Sequence, residues 1–600
     1  MRFPDFQSVA PTKESVSIAT VREKSTPISP SKVLLRILIL SPLCFWALAA
    51  WWHVALDVAR YFVNLPVWDY YDMFYHYPRY QAADFTVLWE QHNEHRILFP
   101  ELVFAFDLLV FKGKIVFPTI LSFCSYLGIW IVMAWLFIKD TAVSTIPKFA
   151  AIGIAAVLFA WKGSALALGS PFLLQWTMNQ LFAILALAFL TKLSETHRDK
   201  WLYASCACGF VCTYSSANGL AVWPLLIISS MLLHLPWKLL SRLLIASGLS
   251  VGLYFVGYKS LSPLNWRALA DHPLYTAKFL AIFASMPFAI LRAEPDFATR
   301  IGTGVLVAIT ILFLIAWRLR LLRTTKSVAL FAYCAYIMSC ACMIALGRMN
   351  PDDPLFFSAK VIRYLMLPLT LWGAFAILVI WIVSRSLRLW SPLVGTLLAV
   401  AMSLILLRMW HKPAFEMWRH SSVTAYTDPQ WATVSVKSGV LDVVPDLMLF
   451  PNRSYFLQAM DLMRAEKLSI FADPEPFWIG RDLSSVFSTP PRAPAEGGLL
   501  SFERLATTVA LQGWTNIRST LYRPLRLVVV DEKGRIVGLG ERLAAGVPGR
   551  FDRLPMSPQK QWSAFVNLTY HSKTVSVYAL SDDEKELIPL NIHFVIEPPK

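Results

Sequence analysis

Two acids three residues apart raise the question of chemistry. In WDYYDMF (68–74), Asp69 and Asp72 share one face if the segment is helical. A carboxylate held near a low-dielectric boundary can be tuned to take up a proton. The plain alternative is an acidic loop beside interfacial Trp and Tyr. A denser group follows in EQHNEHRILF (90–99), where Glu90, His92, Asn93, Glu94, His95 and Arg96 crowd ahead of an apolar stretch. His92 and His95 at i, i+3 would share a helix face and could hold a metal, although the zinc-peptidase H-E-x-x-H pattern is absent. Read structurally, the same residues begin a helix, with Asn93 as its cap. One cap would do for a helix start, and this stretch has several polar groups to spare.

Two further groups lie far downstream. GRMNPDDPLFFSAKVIRY (347–364) carries Arg348, Lys360 and Arg363, with Tyr364 beside the last. Long basic side chains suit a phosphate, and Arg can grip two of its oxygens. Their plain alternative is snorkelling to lipid headgroups. FLLQWTMNQLF (172–182) and TYSSANGLAVWP (213–224) place Gln175, Trp176, Asn179, Ser215, Ser216 and Asn218 at the ends of apolar runs. Intramembrane polar groups are costly and often line a cavity. They also serve as hydrogen bonds between helices.

The elements that must position these residues are apolar. The chain has 600 residues, 56% hydrophobic and 16% charged, whereas a soluble domain carries about a quarter charged. Repeated apolar runs of about 20 residues mark an α-helical polytopic membrane protein. The first run, residues 33–55, is too long for a signal-peptide core and is read as a retained helix. A net charge of +16 would suggest nucleic acid in a soluble protein. Here it fits Lys and Arg gathered in cytoplasmic loops, and no nucleic-acid partner is expected. All eight cysteines lie in apolar segments and look like neither a metal site nor a disulfide framework.

Residues 1–32 read as a disordered cytoplasmic N-terminus. Residues 33–410 read as the transmembrane domain, with a first outer loop at 57–114. Spans are expected at 33–55, 115–138, 148–168, 172–192, 201–217, 219–234, 239–258, 300–317, 327–346, 364–384 and 391–410. That makes 11 spans, or 13 if 97–111 and 276–292 also cross. Both counts leave the tail 411–600 outside the cytoplasm. In the tail, 453–471 predicts an amphipathic helix running into a strand. LRLVVVDEKGRIVGLG (525–540) predicts a β-hairpin, and 573–580 and 591–597 predict strands. A small extracytoplasmic α/β or β-sandwich domain is expected. On this topology all four candidate groups open to one face.

The set WDYYDM, QHNEHRI, SSANGLAVWP and GR…RY resembles the GT-C superfamily of integral-membrane glycosyltransferases, in a group of bacterial multi-span proteins of that character. The resemblance covers roughly residues 33–410. It implies a GT-C-like fold of about 11–13 transmembrane helices in a bacterial inner membrane. It also implies transfer of a hexosyl or pentosyl group from a polyprenyl-phosphate donor to a cell-surface glycan or lipid acceptor on the extracytoplasmic face. Asp69 is similar in position to the family's essential loop acid, with Asp72 as a second. Asp69 would take the acceptor's proton, and Arg348 and Arg363 would stabilise the leaving phosphate. His92, Asn93, Glu94, His95, Arg96, Trp176, Asn179, Asn218 and Tyr364 would bind substrate. No nucleotide is needed, and a divalent cation is the one cofactor for which the resemblance leaves room. The partners implied are a polyprenyl-phosphate-linked sugar, the acceptor and membrane lipids. The rival readings are a glycan polymerase or ligase, a transporter of lipid-linked glycans, and a non-catalytic scaffold.

Overall fold

The computed structural model describes residues 30–140, 143, 145–161, 163–260, 270–289, 294–323, 325–386, 430–441, 452–505, 507–517, 525–542, 561–581 and 586–596. The chain begins with a long helix, α1 (Pro30–Tyr61). Two short ones follow in the first loop, α2 (Tyr71–Gln81) and α3 (Leu98–Phe111). A helical bundle comes next: α4 (Val116–Ile138), α5 (Thr145–Phe159), α6 (Ser164–Leu168), α7 (Leu174–Thr196), α8 (Lys200–Thr213), α9 (Val222–Leu232) and α10 (Trp237–Phe255). It is completed by α11 (Pro273–Ala289), α12 (Pro295–Arg318), α13 (Thr325–Arg348) and α14 (Met366–Ser386). Among the described residues the tail supplies α15 (Arg453–Ala465) and seven strands.

Among the described residues, six helices are long and apolar enough to cross a membrane: α4, α7 with its leading turn, α10, α12, α13 and α14. The expected spans at 148–168, 201–217 and 219–234 are instead helices of 15, 14 and 11 residues. At 1.5 Å per residue these fall short of a hydrocarbon core of about 30 Å. Apolar residues run on through the turns, which break the helix without breaking the hydropathy pattern. The expected span 391–410 lies outside the described residues. Burial sorts the long helices. Of its apolar window, α7 has 78% buried and α12 only 17%. So α7 is the central post, and α12 presents its apolar surface outward.

Side-chain contacts sort the ends of the bundle. At one end, Asp140 after α4 accepts from Arg385 and Trp381 of α14. Lys326 of α13 donates to the Lys139 carbonyl and pairs with Glu195 of α7. At the other end lie the first loop, the end of α8, the end of α10 and the start of α14. Both termini of α3 belong to this second end. Phe99 N–H donates to the Tyr214 carbonyl past α8, and the Lys112 carbonyl accepts from Ser469, whose hydroxyl binds Asn64. Thus α3 lies along that end of the bundle instead of traversing it. Similarly, α11 stays near the start of α14, with Phe283 against Tyr364 and Trp372 donating to the Ala284 carbonyl.

The turn between α3 and α4 is tight for a stated reason. Asp107 accepts from the Ile115 N–H at 3.0 Å, and Gly113 takes φ +67° with no room for a Cβ beside Phe74.

The tail carries one antiparallel sheet in the order β1-β2-β5-β4-β3-β6-β7. The strands are β1 (Gly497–Arg504), β2 (Thr508–Thr515), β3 (Arg526–Asp531), β4 (Ile536–Arg542), β5 (Gln561–Asn567), β6 (Thr574–Leu580) and β7 (Leu587–Val595). The β3–β4 hairpin forms where its β-branched runs predict. Among the described residues the strands form one sheet and not a sandwich. The single sheet curls so that β1 nears β7, giving a half-barrel. Its inner face buries Leu511, Val529, Trp562 and Val577. After α15 the chain enters a 3-10 turn (Ser469–Ala472), not the expected strand.

Gly219 lies where the 217–221 turn crosses α8, and a Cβ there would sit 2.0 Å from the Cys212 carbonyl oxygen. Gly219→Ala is therefore expected to destabilise the detergent-solubilised protein by roughly 1–3 kcal/mol, read as a lowered melting temperature.

Candidate functional site

The polar stretch of the first loop is not a helix start. His92 and His95 exchange backbone hydrogen bonds at 2.8 and 2.9 Å around Asn93 and Glu94, closing a tight reversal. Asn93 takes φ +50° in it, a conformation that Asn tolerates better than most residues. The helix begins only at Leu98, and its N-cap is Ile97, without a side-chain cap bond. The shared helix face expected for His92 and His95, and the cap expected at Asn93, are both corrected by this turn. The local pattern read as a helix start because Asn and acids favour caps and turns alike.

Arg96 anchors the turn. Its side chain is buried, and its Nε donates to the Tyr254 carbonyl at 2.7 Å. One terminal nitrogen donates to the Val256 carbonyl at 2.5 Å, the other to the Trp89 carbonyl, and the guanidinium lies over the Trp89 ring. Gln91 pairs its amide with both backbone groups of Lys259, at 2.7 and 2.9 Å. The Glu94 carbonyl accepts from Tyr254 and Tyr258. Arg96 is thus engaged in holding the loop to the end of α10.

The two acids separate. Asp69 lies in a 3-10 turn (Trp68–Tyr70) behind Trp68, which is half exposed at φ +56°. Among the described residues the Asp69 carboxylate has no hydrogen-bond or ion-pair partner. Asp72, in the first turn of α2, has two. Its Oδ1 accepts from the Tyr455 hydroxyl at 2.5 Å, and its Oδ2 lies 3.4 Å from His92 Nδ1. Burial, then the bond to Asp72, pushes the Tyr455 phenol well up, so it remains a donor. Tyr455 comes from α15, which packs on α2 with its ring 4.3 Å from that of Tyr75. Asn93 Nδ2 meets His92 Nε2 at 3.2 Å, and the His92 ring lies 5.1 Å from Phe172. The turn holding Phe172 also packs against the turn holding Asp69.

His95 links this group to the downstream residues. Its Nδ1 accepts from the Ala217 N–H at 3.3 Å, between Ser216 and Asn218. Burial pulls its pKa down to about 4; Glu94 opposes this, and His92, Arg348 and Arg363 add to it. Arg348 and Arg363 therefore stand close enough for their fields to reach His95. Among the described residues neither has an acidic partner. The Arg363 guanidinium lies over Tyr364, whose ring meets Trp176 at 5.4 Å, edge to face. Asn179 sits deeper. It donates to the Cys212 carbonyl at 2.9 Å and accepts from Tyr336, tying α7 to α8 and α13.

Hence Asp69, Asp72, His92, Asn93, Glu94, His95, Asn218, Arg348, Arg363, Tyr364 and Trp176 gather at one end of the bundle, with Arg96 as their anchor and Asn179 below. Sequence reading missed Tyr455 and the Ala217 N–H. Nothing in the tail's amphipathic pattern says which of its polar atoms meets a carboxylate hundreds of residues earlier. Among the described residues no three His, Cys, Asp or Glu side chains gather to hold a metal ion. No family model matches the chain, nor does any curated protein or solved structure.

Two outcomes test this geometry. Arg96→Ala leaves three backbone carbonyls, that of Tyr254 buried, without their donor and is expected to destabilise the protein by roughly 1–3 kcal/mol, read by thermal unfolding. His95 in the folded protein binds its proton less readily than in the unfolded chain, where its pKa is about 6.5. Acidification from pH 6.5 to 4 therefore removes stability. The wild-type melting temperature should fall more steeply across that window than that of His95→Gln.

Proposed function

We propose that the chain is a membrane glycosyltransferase of GT-C character. It moves a sugar from a polyprenyl-phosphate donor to a glycan or lipid acceptor at the extracytoplasmic face. The observation that carries this reading is the pair of arginines, Arg348 and Arg363, lacking acidic partners and set with His95 at the same bundle end as Asp69 and Asp72. A lipid-borne phosphate is the anion that such a position can receive. Its tail lies among the helices while its headgroup reaches the cations.

In the reaction, the acceptor hydroxyl attacks the anomeric carbon as the bond from that carbon to the phosphate oxygen breaks. The carbon passes through oxocarbenium character. Asp69, partly buried and without a partner among the described residues, takes the hydroxyl proton. Arg348 and Arg363 stabilise the charge that builds on the departing phosphate. Asp72 is held by Tyr455 and in turn holds His92, so this couple positions the acceptor side of the site. Neutral His95 lets the nearby cations act on the phosphate without adding a competing charge to the turn.

The test is mass analysis of surface glycans in cells lacking the chain, rescued with wild type, Asp69→Asn or Arg363→Gln. Loss of one defined sugar, restored by wild type and reduced about 10²- to 10⁴-fold in rate by Asp69→Asn, is the expected outcome. Loss of whole repeat units would point instead to a polymerase, ligase or transporter. Full rescue by Asp69→Asn would remove the assignment of the base.

A further inference from the structure

Three buried polar atoms at the His95 end of the bundle have no hydrogen-bond partner among the described residues: Ser216 Oγ and Asn218 Nδ2 beside Ala217, and Gln175 Oε1 at the start of α7, one turn from Asn179. All three side chains are more than nine-tenths buried. A buried polar group left unpaired costs about 1–3 kcal/mol, and native structures leave few of them. These three sit on elements that meet at one place. Ser216 and Asn218 flank Ala217, whose N–H binds His95. Gln175 precedes Trp176, which meets Tyr364 beside Arg363. Arg363 Nε is a fourth unpartnered buried atom at the same place.

The chemistry of the set divides in two. The arginines supply positive charge for one anionic group. The other three are neutral and include an amide oxygen, an amide NH₂ and a hydroxyl. A sugar hydroxyl both donates and accepts, so it can satisfy either kind. A carboxylate only accepts, and it would meet the Gln175 oxygen without a proton between them. We infer that Gln175, Ser216 and Asn218 form a recognition pocket for the hydroxyls of an uncharged sugar ring, next to the arginines that take its phosphate. The inference rests on the function proposed above and narrows it. The transferred sugar is neutral, and binding discriminates the glycosylated lipid from the bare lipid phosphate.

The experiment measures binding to the full-length protein in detergent by thermal shift titration. The probes are a short-chain polyprenyl phosphate, the same lipid bearing a neutral hexose in gluco, galacto or manno form, and the same lipid bearing a hexuronic acid. Wild type should bind at least one neutral hexosyl lipid about 10-fold or more tighter than the bare phosphate, as two or so hydrogen bonds supply. It should not favour the hexuronosyl lipid. Ser216→Ala and Asn218→Ala should each lose most of that preference, and Arg363→Gln should weaken all the lipids together. Ser216→Ala removes one oxygen, so it keeps the test open if Asn218→Ala fails to fold, which unliganded melting would reveal. Equal binding of all lipids by wild type would overturn the pocket while leaving the phosphate site standing. A preference for the hexuronosyl lipid, or one that survives both variants, would also overturn it. No binding of any lipid phosphate would overturn the proposed function and the pocket with it.

Discussion

A guanidinium taken out of water must have its donors filled, and that constraint organises the end of the molecule where the candidate residues gather. Arg96 meets it with three backbone carbonyls, from Trp89, Tyr254 and Val256, and with the face of Trp89. None of these partners is an acid, so the arrangement depends on backbone position and not on a pair of charges that could swap partners. The consequence is positional. The loop cannot slide along α10 without leaving donors unfilled, so the turn formed by His92, Asn93, Glu94 and His95 is held in place. Gln91 and the two tyrosine hydroxyls on Glu94 add to the same restraint.

Both ends of the bundle use ion pairs to hold the fold, and a few near-end charges stand outside them. At the far end, Asp140 is matched by Arg385 and Trp381, Glu195 by Lys192 and Lys326, and Asp199 by Arg242. These pairs close the ends of helices and tie neighbours together. At the near end, Arg348 and Arg363 lack acids among the described residues, and Asp69 lacks a cation. Long basic and acidic side chains near a low-dielectric boundary are costly unless paired or solvated. The near end also has structural pairs, Arg79 with Asp84 and Glu90 and Lys114 with Asp473, so what sets Arg348, Arg363 and Asp69 apart is that they stand outside that pairing among the described residues.

The tail is built into this end. Helix α15 lies on α2, Tyr455 reaches Asp72, Ser469 binds the backbone of Asn64 and Lys112, and Asp473 pairs with Lys114 at 2.8 Å. The half-barrel sheet follows directly in the chain. A residue from the tail therefore shapes the environment of an acid from the first loop.

Several levels of this protein follow from sequence alone. Its helical, membrane-spanning character is legible because burying a helix in lipid demands long apolar runs. The β3–β4 hairpin is legible because β-branched residues around Asp531 and Gly534 leave few local alternatives. The residue types at the site are legible too, since polar residues beside apolar runs are conspicuous. Other features required the tertiary structure. Hydropathy could not find the break at Phe159 inside 148–168, and it set the break after Tyr214 a few residues late, because a turn in an apolar stretch keeps the composition of a helix. It could not decide whether α3 traverses the bundle, because its ends are located only by contacts with Tyr214 and Ser469. His92 and His95 form a turn instead of a helix face because the bonds from Arg96 to α10, distant in sequence, overrule the local preference. Whether Asp69 or Asp72 acquires partners was likewise decided by α15. Local sequence sets which conformations a segment can adopt; the polar groups that other segments bring within hydrogen-bond reach select among them.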